Sequence, residues 1–325
     1  MAAEDHAVVI GISRYPFFKD LEGPENDANA VIEWLKDPAG GDVPEDHIHP
    51  VTSSDFAEKP RPGADDVYDA FAPLIKLAEE RDPAAAGRRL YIFMAGHGFG
   101  PAMREASLLM ANARPRAFGH NVSGGKVADH FGEAGYFEEV VLLMDCCRDP
   151  NAAAEEGLPP WDKPEGNGGR ETRWFYGFAT GYSSRAREKP VDGKTRGLFT
   201  VAVLEALRSG AGTSSELRNL VKVRMIELMD PDDYQKPHFD PGDEELNFAP
   251  GGSLPTLRVT LGQAPGPLDV TVERGGNEGR AAERRLSPGE SFEVALPSGL
   301  YEVCRNDGSE PTKLGLTVVS KHVEI

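Results

Sequence analysis

Three stretches of the chain are apolar without alternation. Ala7, Val8, Val9 and Ile10 form the first. Leu90, Tyr91, Ile92, Phe93, Met94 and Ala95 form the second, and Val140, Val141, Leu142, Leu143 and Met144 the third. An unbroken apolar run suits a strand covered on both faces, as in a parallel sheet packed between helices. Between these runs the period becomes helical. Ala28, Val31, Ile32 and Leu35 follow a helix-start signal at Pro24, Glu25, Asn26 and Asp27, and Val67, Phe71, Leu74 and Ala78 form a second stripe. With a weaker strand expected at residues 47–51, the order is βαβαβ. That order predicts an α/β fold with a mostly parallel sheet flanked by helices.

Further along, a short hairpin strand is expected at residues 107–110 and a short helix near residues 127–131. Residues 149–169 are rich in Pro, Gly, Glu and Ala and read as a long loop. Residues 174–180 read as a fifth strand and residues 185–196 as a polar loop. Two helices follow, one with Val201, Leu204 and Leu207, the other with Leu217, Leu220, Val221, Val223 and Leu228. Residues 248–255 have the texture of a linker. Beyond them strict alternation appears, at Leu268, Val270 and Val272, at Phe292, Val294 and Leu296, at Tyr301 and Val303, and at Leu314, Leu316 and Val318. Period two broken by turn residues predicts a small antiparallel β-sandwich. The expected division is therefore 1–250 and 251–325, with Cys304 as a core thiol of the second part.

Composition narrows the function classes. No run of 18 or more apolar residues occurs, so no membrane-spanning helix is expected. The start of the chain lacks a basic region followed by an apolar one, which points to a cytoplasmic protein. A formal charge of −18 argues against nucleic acid and anionic membrane partners. The acids are scattered, as on a solvated surface; they permit calcium as an activator, but no EF-hand loop is present. The three cysteines make no disulfide framework and have no zinc-ligand spacing, so no metal site is expected.

Chemistry gathers at the ends of two apolar runs. His97, between Gly96 and Gly98, ends the second; Asp145, Cys146, Cys147 and Arg148 end the third. In a parallel sheet both ends lie on the ligand-binding edge. Cysteine becomes a strong nucleophile only when deprotonated, and a nearby histidine is the usual base. Small residues beside the histidine leave backbone amides free to stabilise an oxyanion. Each feature has a plain alternative: a histidine between glycines is often a loop residue, and paired strand-end cysteines often only pack.

These residues carry a resemblance. Residues 93–98 followed by 142–148 resemble the histidine and cysteine motifs of caspase-like cysteine peptidases, in particular bacterial metacaspase-like and orthocaspase-like members. His97 precedes Cys147 by 50 residues, the spacing typical of caspases. Ala7 to Ser13, the Asn26-Asp27-Ala28 helix start and the Gly197-Leu198-Phe199-Thr200 turn into a helix resemble further pieces of that family, in order. The resemblance implies Cys147 as nucleophile, His97 as general base, Cys146 as a packing residue, and the amides of Gly98 and Cys147 as the oxyanion hole. It implies that Asp145 lines the pocket for the residue preceding the cut (P1), and so cleavage after Arg or Lys; the plain alternative is that Asp145 caps local amides. Tyr182, Ser183 and Arg185 fall in the segment resembling the substrate-facing loop. Arg148-Asp149-Pro150 departs from the family's small residues. No cofactor is required. Implied partners are a protein substrate and a regulatory or activating protein docking on the β-rich part, with activation by calcium, self-cleavage or such a partner. The resemblance to bacterial caspase-like peptidases further implies an effector role in stress or antiviral defence. A second reading is a catalytically silent caspase-like scaffold that acts through its C-terminal β-domain.

Overall fold

The computed structural model describes residues 2–57, 60–81, 85–100, 106–116, 118–148, 156–162, 171–181, 184, 186–229, 235–248, 256–274, 279–296, 299–316 and 321–325. In chain order the first part comprises β1 (His6–Gly11), α1 (Gly23–Lys36), β2 (Ile48–Thr52), α2 (Ala64–Glu79) and β3 (Gly87–Ala95). A small antiparallel sheet follows, of β4 (Gly98–Phe99), β5 (Ser107–Leu109) and β6 (Asn121–Ser123). Then come α3 (Gly124–Ala134), β7 (Phe137–Asp145), β8 (Arg173–Phe178), the hairpin β9 (Glu188–Val191) and β10 (Lys194–Gly197), α4 (Leu198–Arg208), α5 (Ser214–Leu228) and β11 (His238–Asp240).

The central sheet runs in the order β11-β8-β7-β3-β1-β2. All its pairings are parallel except the edge strand β11, which runs antiparallel to β8. The absence of alternation in the apolar runs has a direct cause. Val8 and Ile10, Ile92 and Met94, Val140 and Leu142 point into one core with α2 and α3. Their neighbours Val9, Tyr91, Phe93, Val141 and Leu143 point into a second core with α1, α4 and α5. Each strand is thus buried on both faces. Where β3 and β7 begin, the ionic contact from buried Arg89 Nε to Glu139 Oε2 (2.6 Å) ties the two strands together at the end remote from the candidate chemistry.

Two features escape the sequence reading. Residues 185–196 were expected to be loop, yet β9 and β10 form a hairpin there. Its turn is Asp192-Gly193, both at positive φ (50° and 79°), the pairing that a two-residue type I′ turn demands. The edge strand β11 is short and has no alternation to announce it.

The C-terminal part holds β12 (Thr256–Thr260), β13 (Leu268–Arg274), β14 (Gly279–Leu286), β15 (Ser291–Ala295), β16 (Gly299–Arg305), β17 (Thr312–Leu316) and β18 (Lys321–Glu324). They form a three-stranded sheet, β15-β12-β18, and a four-stranded sheet, β14-β13-β16-β17. Leu257 and Val259 from the first share a core with Val270, Val272, Tyr301 and Val303 from the second. The pairing is antiparallel throughout except that β18 runs parallel to β12. Cys304 is half-buried rather than a core thiol. Tyr301 and Val303 take the inward positions of β16, and a period of two turns Cys304 the other way. Among the described residues no helix is long and apolar enough to cross a membrane.

Candidate active site

β3 and β7 are in register up to the rung Ala95–Asp145. His97 and Cys147 each lie two residues beyond that rung, at the carboxyl ends of adjacent parallel strands. Both line one cavity of about 200 Å³, together with Asp27, Asp145, Glu188 and Gly197.

The imidazole of His97 is held by a carbonyl. Its Nε2 lies 2.8 Å from the backbone oxygen of Lys19. A carbonyl only accepts, so Nε2 carries the proton and Nδ1 keeps its lone pair in the neutral ring. The main chain is held as well: the His97 N–H donates to Tyr15 Oη (3.0 Å), and the Leu109 N–H donates to the His97 carbonyl (2.8 Å).

The two adjacent thiols have different surroundings. Cys146 is buried, 1% exposed, and burial, followed by the charges of Cys147 and Asp145, pushes its thiol far above the ordinary range. A Cβ on Gly98 would come within 2.7 Å of the Cys146 Cβ and Sγ and 2.8 Å of the Ser107 carbonyl, so only glycine fits over that thiol. Cys147 is half-buried and faces the cavity wall. Arg148, the departure from the family pattern, is an anchor. Its buried side chain donates from Nη1 to the Thr180 carbonyl (3.1 Å) and stacks 4.6 Å from the centre of the Phe178 ring. Its N–H donates to the Ser184 carbonyl (3.0 Å). The chain leaving Cys147 is thereby fixed to the end of β8.

Three carboxylates converge on the cavity. Asp145 Oδ2 accepts from the Thr200 N–H (3.0 Å) and hydroxyl (2.7 Å), which holds the acid against the first turn of α4. Burial raises its pKa to about 6 against these bonds. Asp27 is buried at the start of α1; burial, then the neighbouring Asp145 charge, raise its pKa, while Arg196 and the Gly197 amide oppose the shift. Arg196 Nε donates to Asp27 Oδ1 (2.5 Å) and the Gly197 N–H to Oδ2 (2.7 Å). Glu188 arrives on β9, its Oε2 accepting from the Gly23 N–H (2.9 Å). Thr195 fastens the same hairpin to α1, its hydroxyl donating to Glu22 Oε2 (2.7 Å) and its carbonyl accepting from Asn26 Nδ2 (3.0 Å).

Gly197 sits where these groups meet. A Cβ there would lie 2.2 Å from Asp145 Oδ2 and 2.8 Å from Asp27 Oδ2. The expected result for Gly197→Ala is a loss of about 1–3 kcal/mol of stability from forced displacement of packed groups, read by thermal or chemical unfolding.

Of the residues singled out from sequence, the fold brings His97, Gly98, Asp145 and Cys147 to one edge, Gly98 beginning β4 opposite Leu108. Tyr182, Ser183 and Arg185 lie outside the described residues. Asp27 and Glu188 were not singled out as cavity acids. Asp27 was visible only as part of a helix start, and Glu188 only as a polar loop residue, although the Asp192-Gly193 turn signals the hairpin that carries it. Among the described residues no group of three or more His, Cys, Asp or Glu side chains is placed to hold a metal ion.

Comparisons with known proteins bear on the family and the fold. The family model for the caspase domain, Peptidase_C14, matches residues 4–237. No curated protein matches the chain significantly. The crystal structure of caspase-1 from Spodoptera frugiperda is similar in fold, at 11% identity and a TM-score of 0.50, over 74% of this chain and 87% of that one. A structure of pro-sf-caspase-1 is similar at 14% identity and a TM-score of 0.46, with the same coverage. With its parallel sheet, its helices on both faces and a family match over most of its length, the chain belongs to the caspase-domain family of cysteine-type peptidases.

Proposed function

We propose that this protein is a cysteine endopeptidase that cuts polypeptides after Arg or Lys. The observation that carries the reading is the shared cavity: a half-buried cysteine, a histidine with its free lone pair on Nδ1, and three carboxylates line the same 200 Å³. In this mechanism His97 Nδ1 takes the proton of Cys147. The thiolate attacks the scissile carbonyl carbon, and the amide N–H groups of Gly98 and Cys147 stabilise the oxyanion. His97 then gives its proton to the departing amine, leaving a thioester. A water molecule, deprotonated by His97, hydrolyses that thioester and restores the thiol. The Lys19 carbonyl keeps the imidazolium oriented through both steps. No step needs a metal or cofactor.

The specificity follows from charge. A P1 guanidinium or ammonium entering the cavity meets Asp145 and Glu188, while Asp27 is held by Arg196 and the Gly197 amide. Asp145 is buried and Glu188 exposed, so a charge-assisted bond to Asp145, which water screens least, favours a basic side chain and disfavours an acidic one.

A panel of peptides differing only at P1 tests the reading. Cleavage is expected after Arg and Lys and not after Asp; a preference for Asp, or no turnover of any peptide by the wild type that His97→Ala lacks, defeats it. The same panel has a pH signature. A carboxyl with its pKa raised to about 6 is protonated and uncharged below that pH. The KM for P1 Arg is therefore expected to rise as pH falls through about 6. Iodoacetamide alkylation of Cys147, which needs no P1 contact, supplies the control for titration of the dyad itself.

A further inference from the structure

The loop that holds the His97 ring is built on one residue, Tyr15. This side chain is 1% exposed. Its hydroxyl accepts the His97 N–H (3.0 Å) and donates to the Leu109 carbonyl (3.1 Å), and the Leu109 N–H returns to the His97 carbonyl (2.8 Å). The main chain of the histidine is thus closed into a ring of three hydrogen bonds through a phenol. The backbone of Tyr15 does different work. Its N–H donates to Asp20 Oδ1 (2.7 Å) and its carbonyl accepts the Phe18 N–H (3.2 Å), folding residues 15–20 into a turn. That turn presents the Lys19 carbonyl to His97 Nε2 (2.8 Å). The Tyr15 ring also lies edge-on to the imidazole, centroids 4.7 Å apart, with Phe18 at 5.7 Å on the same ring.

Gly96 records how closely the hydroxyl is seated. It has φ 154°, and a Cβ there would come within 2.4 Å of Tyr15 Oη. Burial pushes the phenol far above its usual range, so it remains a neutral donor and acceptor wherever an enzyme would work. A tyrosine that only filled space here would need no hydroxyl; this one uses it at both ends.

On the reading that His97 is the general base, we propose that Tyr15 is its positioning residue: the hydroxyl fixes the main chain that carries the imidazole, and the turn begun at Tyr15 supplies the carbonyl that fixes the ring and its tautomer. Losing either end lets the imidazole swing. Misplacement on the ångström scale costs a proton transfer about ten- to a hundred-fold.

The test is alkylation of Cys147 by iodoacetamide across pH, in a Cys304→Ser background so that one accessible thiol is followed. Thiolate displaces iodide, and the rate reports the base beside the sulfur without any substrate. Wild type is expected to react faster at neutral pH than His97→Ala. Tyr15→Phe, which keeps the ring, is expected to fall toward His97→Ala by about ten-fold, its profile moving toward that of an ordinary thiol near pH 8.5. The kcat on a P1 Arg peptide should fall in parallel, with KM little changed. Asp20→Ala lies on an exposed residue, removes only the bond that closes the turn, and is expected to shift the profile in the same direction by less. Wild-type alkylation and kcat in both variants overturn the proposal; should Tyr15→Phe not fold, a wild-type profile in Asp20→Ala overturns it alone. A wild type no faster than His97→Ala defeats the His–Cys pairing itself, and this proposal with it.

Discussion

Cys147→Ala is expected to remove peptide cleavage, by about 10⁴-fold or more in kcat, with the fold and KM retained. Cys146→Ala is expected to cleave within a few-fold of wild type. The two thiols are neighbours in sequence, so their difference is environmental. Cys146 is sealed under Gly98, with its thiol held protonated by burial, and no substrate carbonyl reaches it. Cys147 is half-buried on the cavity that His97 also lines. Initial rates on a P1 Arg peptide, with thermal unfolding of each variant beside them, decide the matter. If Cys146→Ala is the variant that loses turnover while still folded, the nucleophile has been assigned to the wrong sulfur. The cost of Cys146→Ala belongs instead to stability, since it empties a small space against β4; about 1 kcal/mol is expected.

How much of this was legible beforehand depends on where each residue gets its meaning. Ala7 to Ile10, Leu90 to Ala95 and Val140 to Met144 declared themselves because both of their faces meet helices, and helices on both faces of a parallel sheet leave little else for such runs to be. His97 and Cys147 followed, because a strand end in that sheet has a known edge. The acids were harder. Asp27 and Asp145 become one site only when α1 is folded against β10, through contacts between residues far apart in the chain. Glu188 depends on a hairpin whose one loud signal, Asp192-Gly193, sits inside a segment otherwise rich in charge. Tyr15 had no such signal, since nothing in a sequence says that a phenol will close on a histidine amide 82 residues later. Cys304 shows the opposite error: the alternation placed Tyr301 and Val303 inward, where the fold puts them, and the same period of two turns Cys304 away from the core it was assigned to.

Asp145→Asn is expected to cost P1 Arg and Lys peptides about 10²- to 10³-fold in kcat/KM, chiefly through KM. The figure is about 2.7–4.1 kcal/mol, inside the range of about 2–5 kcal/mol lost when one partner of a buried charge pair is removed. The substitution is a clean probe because the local structure tolerates it. The amide oxygen of asparagine can still accept from the Thr200 N–H and hydroxyl, so α4 keeps its attachment to the end of β7. What changes is the charge toward the cavity. A peptide with P1 citrulline, the neutral isostere of arginine, is expected to lose far less than P1 Arg and so to approach it in rate. The rise of KM below pH 6 should disappear with the carboxyl that titrates there. Removing the Asp145 charge also relieves its repulsion of Asp27, so the Asp27 pKa falls and its pairing with Arg196 strengthens. Arg and citrulline peptides measured on both proteins at pH 5.5 and 7.5 give the coupling directly. An unchanged preference for arginine in Asp145→Asn would leave Asp145 as a cap for α4 alone and move recognition of the basic residue to Glu188.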